Sequence, residues 1–350
     1  MTVFRPVAFL LLGALALVAC DTGVPDDGAP TDPTQPEPEP GDPPAAEQLL
    51  FPVERDGDWG LIDVQGRLVV PATHDGAREM RDGLAPVRDW ESGNVWTFYR
   101  PSGAAAFQIR VDEAYPPSEG LIRVRADGKW GFVDTTGAWI VNPYMNDARD
   151  VVGGRARVKT TGWRWGFMNT RGDIVVEPDY DHLGDLSDGL ALVEDGDRFG
   201  YIDRSGAEVI PPQFDEARPF ANGRAAVRVG SQWGFIDTRG QFVLAPQFIS
   251  AGDFGQNMAP VRTENLWEYV DDAGARTVAP GFEAARGFVQ NRAAVMEGGM
   301  WSFIKPDGRT IGPYAFEEVE DFRGGIARVT QAGKTGYISK TGAYVWVPQD

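Results

Sequence analysis

The chain has 350 residues and carries 33 Lys plus Arg against 51 Asp plus Glu, a formal net charge of −18. Such a surface repels nucleic acid and anionic lipid, which removes polyphosphate partners from consideration. The single cysteine, Cys20, excludes an intramolecular disulfide and a cysteine-based zinc cluster, and the two histidines, His74 and His182, stand at unrelated points of the chain. No metal or cofactor site is expected.

The chain opens with an address. Arg5 supplies a positive start, and residues 7–19 form an apolar run of 13, short of the roughly 20 that span a bilayer as a helix. The run ends in Leu17-Val18-Ala19-Cys20, which resembles the lipobox of bacterial lipoprotein precursors. That resemblance implies a signal peptide over 1–19, lipidation of Cys20 and attachment to the bacterial cell envelope, on either membrane. Residues 21–47 hold eight Pro, eight acidic residues and no Lys or Arg. Such a segment cannot bury a core, so residues 20–47 are expected to be a disordered tether.

From residue 48 to 350 the chain repeats itself. Trp233-Gly234-Phe235-Ile236-Asp237 has near-copies starting at Trp59, Trp130, Trp165 and Phe199, and weaker ones at Trp96, Trp267, Trp301 and Thr335. The starts fall 34 or 35 residues apart after a first step of 37, and nine units on one period set the architecture. In the fullest unit, Arg224-Ala-Ala-Val-Arg-Val229 alternates with the period of a strand, and a short turn leads into the Trp-Gly strand. A third apolar stretch then runs from Gln241 to Pro246. No window has helical periodicity. The reading is all-β, three short antiparallel strands per unit and then a longer loop.

Two glycines per unit have separate roles. The one seven residues after the Trp position occurs in every unit (Gly240 in the fullest) and marks a turn that needs positive φ. The one directly after the Trp is replaced by Thr97, Glu268 and Ser302, so lack of space rather than φ is expected there. Apolar residues fall on both faces of the Trp-Gly strand, which calls for cover from neighbouring units. Nine units exceed the usual four to eight propeller blades, and about 34 residues is lean for a blade of roughly 40 to 45. The expectation is an open, twisted stack, with a closed propeller-like ring as the alternative.

These motifs resemble the bacterial WG-repeat family over residues 49–350, which implies a repeat fold and leaves activity open. The second unit departs most, with Thr97 and Arg100 in place of Gly and Asp and Gln108 where a Pro is expected. The register aromatics Trp59, Trp130, Trp165, Trp233, Trp267 and Trp301 are expected in the core. Trp90 and Trp163 lie outside the register, in lengthened hairpins, and are the candidate binding residues. The Asp series (Asp63, Asp134, Asp203, Asp237, Asp271) supplies too few oxygens for calcium and fits turn formation. No nucleophile elbow or phosphate loop occurs. The function expected is a non-catalytic, lipid-anchored scaffold binding an envelope protein. A glycan-binding module using the hairpin aromatics is the alternative, and an envelope hydrolase comes last.

Overall fold

The computed structural model describes residues 49–90 and 92–347; the expected signal peptide, Cys20 and the expected tether lie outside them. Among the described residues every regular element is a strand, and the strands form nine small antiparallel sheets, each contiguous in sequence. Blade 1 has three strands (Phe51–Arg55, Asp58–Ile62, Leu68–His74), and blades 2 to 9, over residues 76–110, 113–145, 147–180, 182–214, 216–248, 250–282, 284–316 and 318–346, have four each. In blade 6 these are Glu216–Ala217, Arg224–Val229, Gln232–Asp237 and Phe242–Phe248. The three-strand unit with a long loop is therefore corrected: the loop contains a two-residue strand, paired Glu216↔Arg228 and Ala217↔Val227. It is too short and polar to show a strand pattern in sequence.

The sheets are arranged as a nine-bladed β-propeller, not as the open stack expected. Blade 9 (residues 318–346) packs on blade 1. The Tyr337 hydroxyl donates to the Pro52 carbonyl at 2.8 Å, and Arg323 reaches on to the start of blade 2, donating to the Met80 carbonyl at 2.7 Å while pairing with Glu79. Leu49, Phe51, Val53 and Ile62 share one apolar cluster with Ile326 and Tyr337. Among the described residues no strand is exchanged between the ends. The ring closes by the same sheet-on-sheet packing that joins every other pair of blades. Blade economy explains how 34 residues suffice: Phe248 pairs with Trp233 of its own blade, while the next residue, Ile249, already bonds to Arg262 of blade 7.

Burial on both faces follows the alternation of the strand. Phe235 and Trp233 enter a cluster with Ala251, Phe254 and Val261 of blade 7; Ile236 enters one with Leu190, Leu192 and Tyr201 of blade 5. The two glycine roles are also visible. Gly240 has φ +79, and its counterparts in all nine blades are likewise positive. At Gly234 a Cβ would lie 2.6 Å from the Leu244 carbonyl oxygen, because the last strand bulges inward between Leu244 and Phe248. Blade 2 shows the converse. With Gln108 in place of Pro, its last strand pairs in unbroken register from Val95 to Phe98, Thr97 fits opposite Gln108, and the Gln108 amide donates to the Thr97 hydroxyl at 3.0 Å.

The Asp series forms turns. Asp237 Oδ1 accepts the backbone N–H groups of Arg239 and Gln241, both at 2.9 Å, and Asn169 makes the same two bonds in blade 4. The bond from Gln241 is the largest influence holding the Asp237 carboxyl below its ordinary range.

Two outcomes follow. Gly234→Ala forces a methyl onto a backbone carbonyl and should destabilise by about 1–3 kcal/mol in urea unfolding, as overpacked sites do; an unchanged midpoint would refute the steric role. A carboxyl held low contributes stability that is complete above its unfolded-state value and is lost as pH falls through the folded one. Wild type should therefore be more stable than Asp237→Asn at pH 6, and the gap should narrow as pH falls below the ordinary carboxyl range; a gap constant across thermal melts at pH 6 and at acid pH would count against it.

Candidate functional site

Six blades turn into the Trp strand in two residues; φ is positive at both positions in four of them, as at Asp127-Gly128 and Gly298-Gly299, and at the first position, Gly196 or Gly230, in the other two. That is the tight turn matching strand twist, and none of the six holds a large apolar residue. Blades 2, 4 and 7 differ. Their tips span residues 90–94, 160–164 and 263–266, and each presents one exposed apolar side chain: Trp90 at 53%, Trp163 at 86% and Leu266 at 40%. Because these are equivalent hairpins, all three project from the same face of the propeller.

Trp163 sits on an anchored loop. On one side the Asn146 amide donates to the Gly162 carbonyl at 3.2 Å; on the other, the Arg164 guanidinium grips both carboxylate oxygens of Asp181, at 3.1 and 3.3 Å. The backbone is thus held while the indole faces water. Trp90 is held differently. Its backbone N–H donates to Asp75 at 2.6 Å, and the Arg88 guanidinium lies 3.7 Å from its ring centroid. One face is backed by a cation and the rest stays accessible. Between the two, the Lys129 ammonium donates to Asn146 at 2.8 Å and fastens the tip of blade 3 to blade 4.

This sector differs electrostatically from the rest of the chain. Residues 76–165 contain 13 Lys plus Arg and 11 Asp plus Glu, a local balance of +2 against −18 for the whole. Its guanidinium groups are ordered against aromatic rings: Arg123 lies 3.6 Å from Tyr115 and 4.6 Å from Trp130, while Asp150 accepts its Nε–H at 2.9 Å. Of the register aromatics, Trp165 and Trp233 are buried, whereas Trp59, Trp130, Trp267 and Trp301 are half-buried. His74 pairs with Asp89 in a sector far along the chain from His182, whose ring meets Phe199 edge-on.

Sequence reasoning found Trp90 and Trp163 through their lengthened hairpins and missed Leu266. Blade 7 keeps the usual six-residue step from Val261 to Trp267, but the pair equivalent to Val229↔Gln232 of blade 6 is not formed. Instead the Thr263 hydroxyl donates to the buried Glu268 carboxylate at 2.8 Å, and the tip splays. The Glu after Trp267, where six units have Gly, was the available signal.

Comparison with known proteins fits this architecture. The model of the WG containing repeat matches eight segments: residues 59–89, 96–130, 130–162, 165–198, 199–233, 233–267, 269–301 and 301–334. The chain belongs to the WG-containing repeat family. No curated protein matches it in sequence. Among solved structures, a eukaryotic initiation factor is similar at TM-score 0.59 and 10% identity, covering 86% of this chain and 95% of that one. At such identity the likeness is one of fold alone. BamB from Moraxella catarrhalis, at TM-score 0.47 and 12% identity over 74% of this chain and 94% of its own, is too distant to carry an argument.

Proposed function

We propose that this protein is a non-catalytic binding scaffold, held to the bacterial cell envelope by lipid on Cys20, which docks a protein partner on the face that carries the hairpin tips. The observation that carries this reading is Trp163, 86% exposed on a loop tied down at both ends. A large indole in water is unfavourable by about 25 cal/mol per Å² of apolar surface, and six blades show that the fold closes this hairpin without one. Rigid aromatic anchors lose little entropy on docking and dominate interface energetics. The near-neutral balance of residues 76–165 lets an apolar patch approach, while the overall −18 favours a basic or neutral partner.

Pull-down from crosslinked envelopes with wild type and with the Trp90→Ala/Trp163→Ala double variant tests the docking face. Wild type should recover one defined protein, and the double variant should lose it while its melting temperature stays unchanged. Recovery of the same protein by both would sink the assignment, and retention of wild type alone on peptidoglycan or polysaccharide beads would replace the protein partner with a glycan. The anchor is tested separately: Cys20→Ala should abolish incorporation of labelled fatty acid, and a labelled band of unchanged intensity would refute lipidation there.

A further inference from the structure

In blades 2 to 8 the third residue of the blade, counted from the start of its first strand, stands beside the ring that opens the Trp strand of the same blade. In blades 2, 4, 6 and 8 it is an arginine: Arg78, Arg149, Arg218 and Arg286 stand 5.4, 5.2, 5.6 and 4.8 Å from Trp96, Trp165, Trp233 and Trp301. In blade 3, Tyr115 takes the place, 5.8 Å from Trp130. In blades 5 and 7 it is glycine, Gly184 and Gly252, and at both a cavity opens against the uncapped ring, Phe199 or Trp267. His182 meets the Phe199 ring edge-on at 6.3 Å. Trp267 has no guanidinium over it among the described residues, and its cavity has a volume of about 530 Å³, within the range of small-molecule sites.

The walls of that cavity are built from the capped blades on either side. Arg218 of blade 6 and Arg286 of blade 8 line it together with Asp253 of blade 7 and Asp321 of blade 9, and the charge of Arg218 acts on Asp253 as that of Arg286 acts on Asp321. The Tyr269 hydroxyl, from the blade with the vacancy, donates to the Arg286 carbonyl at 2.8 Å and fixes that wall. Arg218 Nε is buried and has no hydrogen-bond partner, a donor left over by the fold. Burial raises the Asp253 and Asp321 carboxyls against the pull of their arginines, which marks them as desolvated acceptors. Two guanidinium groups and two carboxylates balance in charge, so a neutral ligand is accommodated without an uncompensated ion.

We propose that the cavity beside Trp267 is a saccharide site, with one pyranose ring laid on the vacant indole face and its hydroxyls bonded by Arg218, Asp253, Arg286 and Asp321. A flat apolar floor ringed by planar, two-pronged donors and acceptors suits a molecule with an apolar ring face and an equator of hydroxyls. A single-ring cation is disfavoured because the fold has already matched its carboxylates with arginines. The site shares no side chain with Trp90 or Trp163, so it stands or falls apart from the docking face.

Gly252 is required by its neighbour, since a Cβ there would lie 2.7 Å from Pro260 Cγ. In blades 6 and 8 the residue opposite the arginine is alanine, Ala226 and Ala294. The double variant Gly252→Arg/Pro260→Ala therefore restores the capped arrangement and fills the cavity without disturbing the sheet. Saturation-transfer NMR on the full chain, with the methyl pyranosides of glucose, galactose, mannose and N-acetylglucosamine, tests the proposal. At least one should receive magnetisation from the wild type. Trp267→Ala should weaken its binding about tenfold or more, the scale of a lost stacking contact, and the capped double variant should abolish it at unchanged melting temperature. No transfer to any of the four, transfer that survives the capped variant, or binding of N-ethylguanidinium in their stead would overturn it.

Discussion

Each blade of this propeller has an apolar residue on both faces of its Trp strand and no means of covering either. Phe235 looks forward into blade 7 and Ile236 back into blade 5. The favourable term is apolar burial shared across every blade boundary. An open array would leave two such faces in water, one at each end, and closure removes both at once. Blade 9 covers blade 1 through Ile326 and Tyr337 as an interior blade would. The ring needs no exchanged strand because closure is one more instance of the boundary already repeated eight times.

The same economy frees some positions from structural duty. Turns that hold the repeat together are local and self-satisfied: an Asp or Asn side chain caps two backbone N–H groups, and a glycine with positive φ completes the reversal. Hairpin tips stand outside the apolar clusters of the boundary, so they tolerate Trp90, Trp163 and Leu266 in water. Capping arginines are intermediate. Five blades place a guanidinium or phenol over the leading ring, and two leave it bare. Chemistry in a repeat protein resides in such departures, since a feature shared by every unit serves the packing that every unit shares.

Much of this was legible in the residues. A period of 34 identified the units, alternation identified the strands, and the substitutions Thr97, Glu268 and Ser302 separated a glycine needed for space from one needed for φ. Lengthened spacing singled out the tips with Trp90 and Trp163. Other features left no mark. The short strand Glu216–Ala217 is two residues long, below any period, and is held by a neighbour that sequence order does not point to. Leu266 is exposed because a ladder pair fails to form, at unchanged spacing. The vacancy at Gly252 reads as an ordinary glycine until Trp267 is seen behind it.

The sequence alone determined the module: its strands, its turns, its two-sided hydrophobicity and hence its dependence on neighbours. All of these are set by contacts within some ten residues, where side-chain type and spacing carry the information. Only the tertiary structure decided that nine modules form a ring. Closure depends on the small rotation from each blade to the next, a sum over many weak packing contacts that no single residue encodes. Once the rotation is set, blade 9 meets blade 1, the equivalent hairpins share one face, and Arg218 and Arg286 come to flank an indole that lies between them in neither spacing nor pattern.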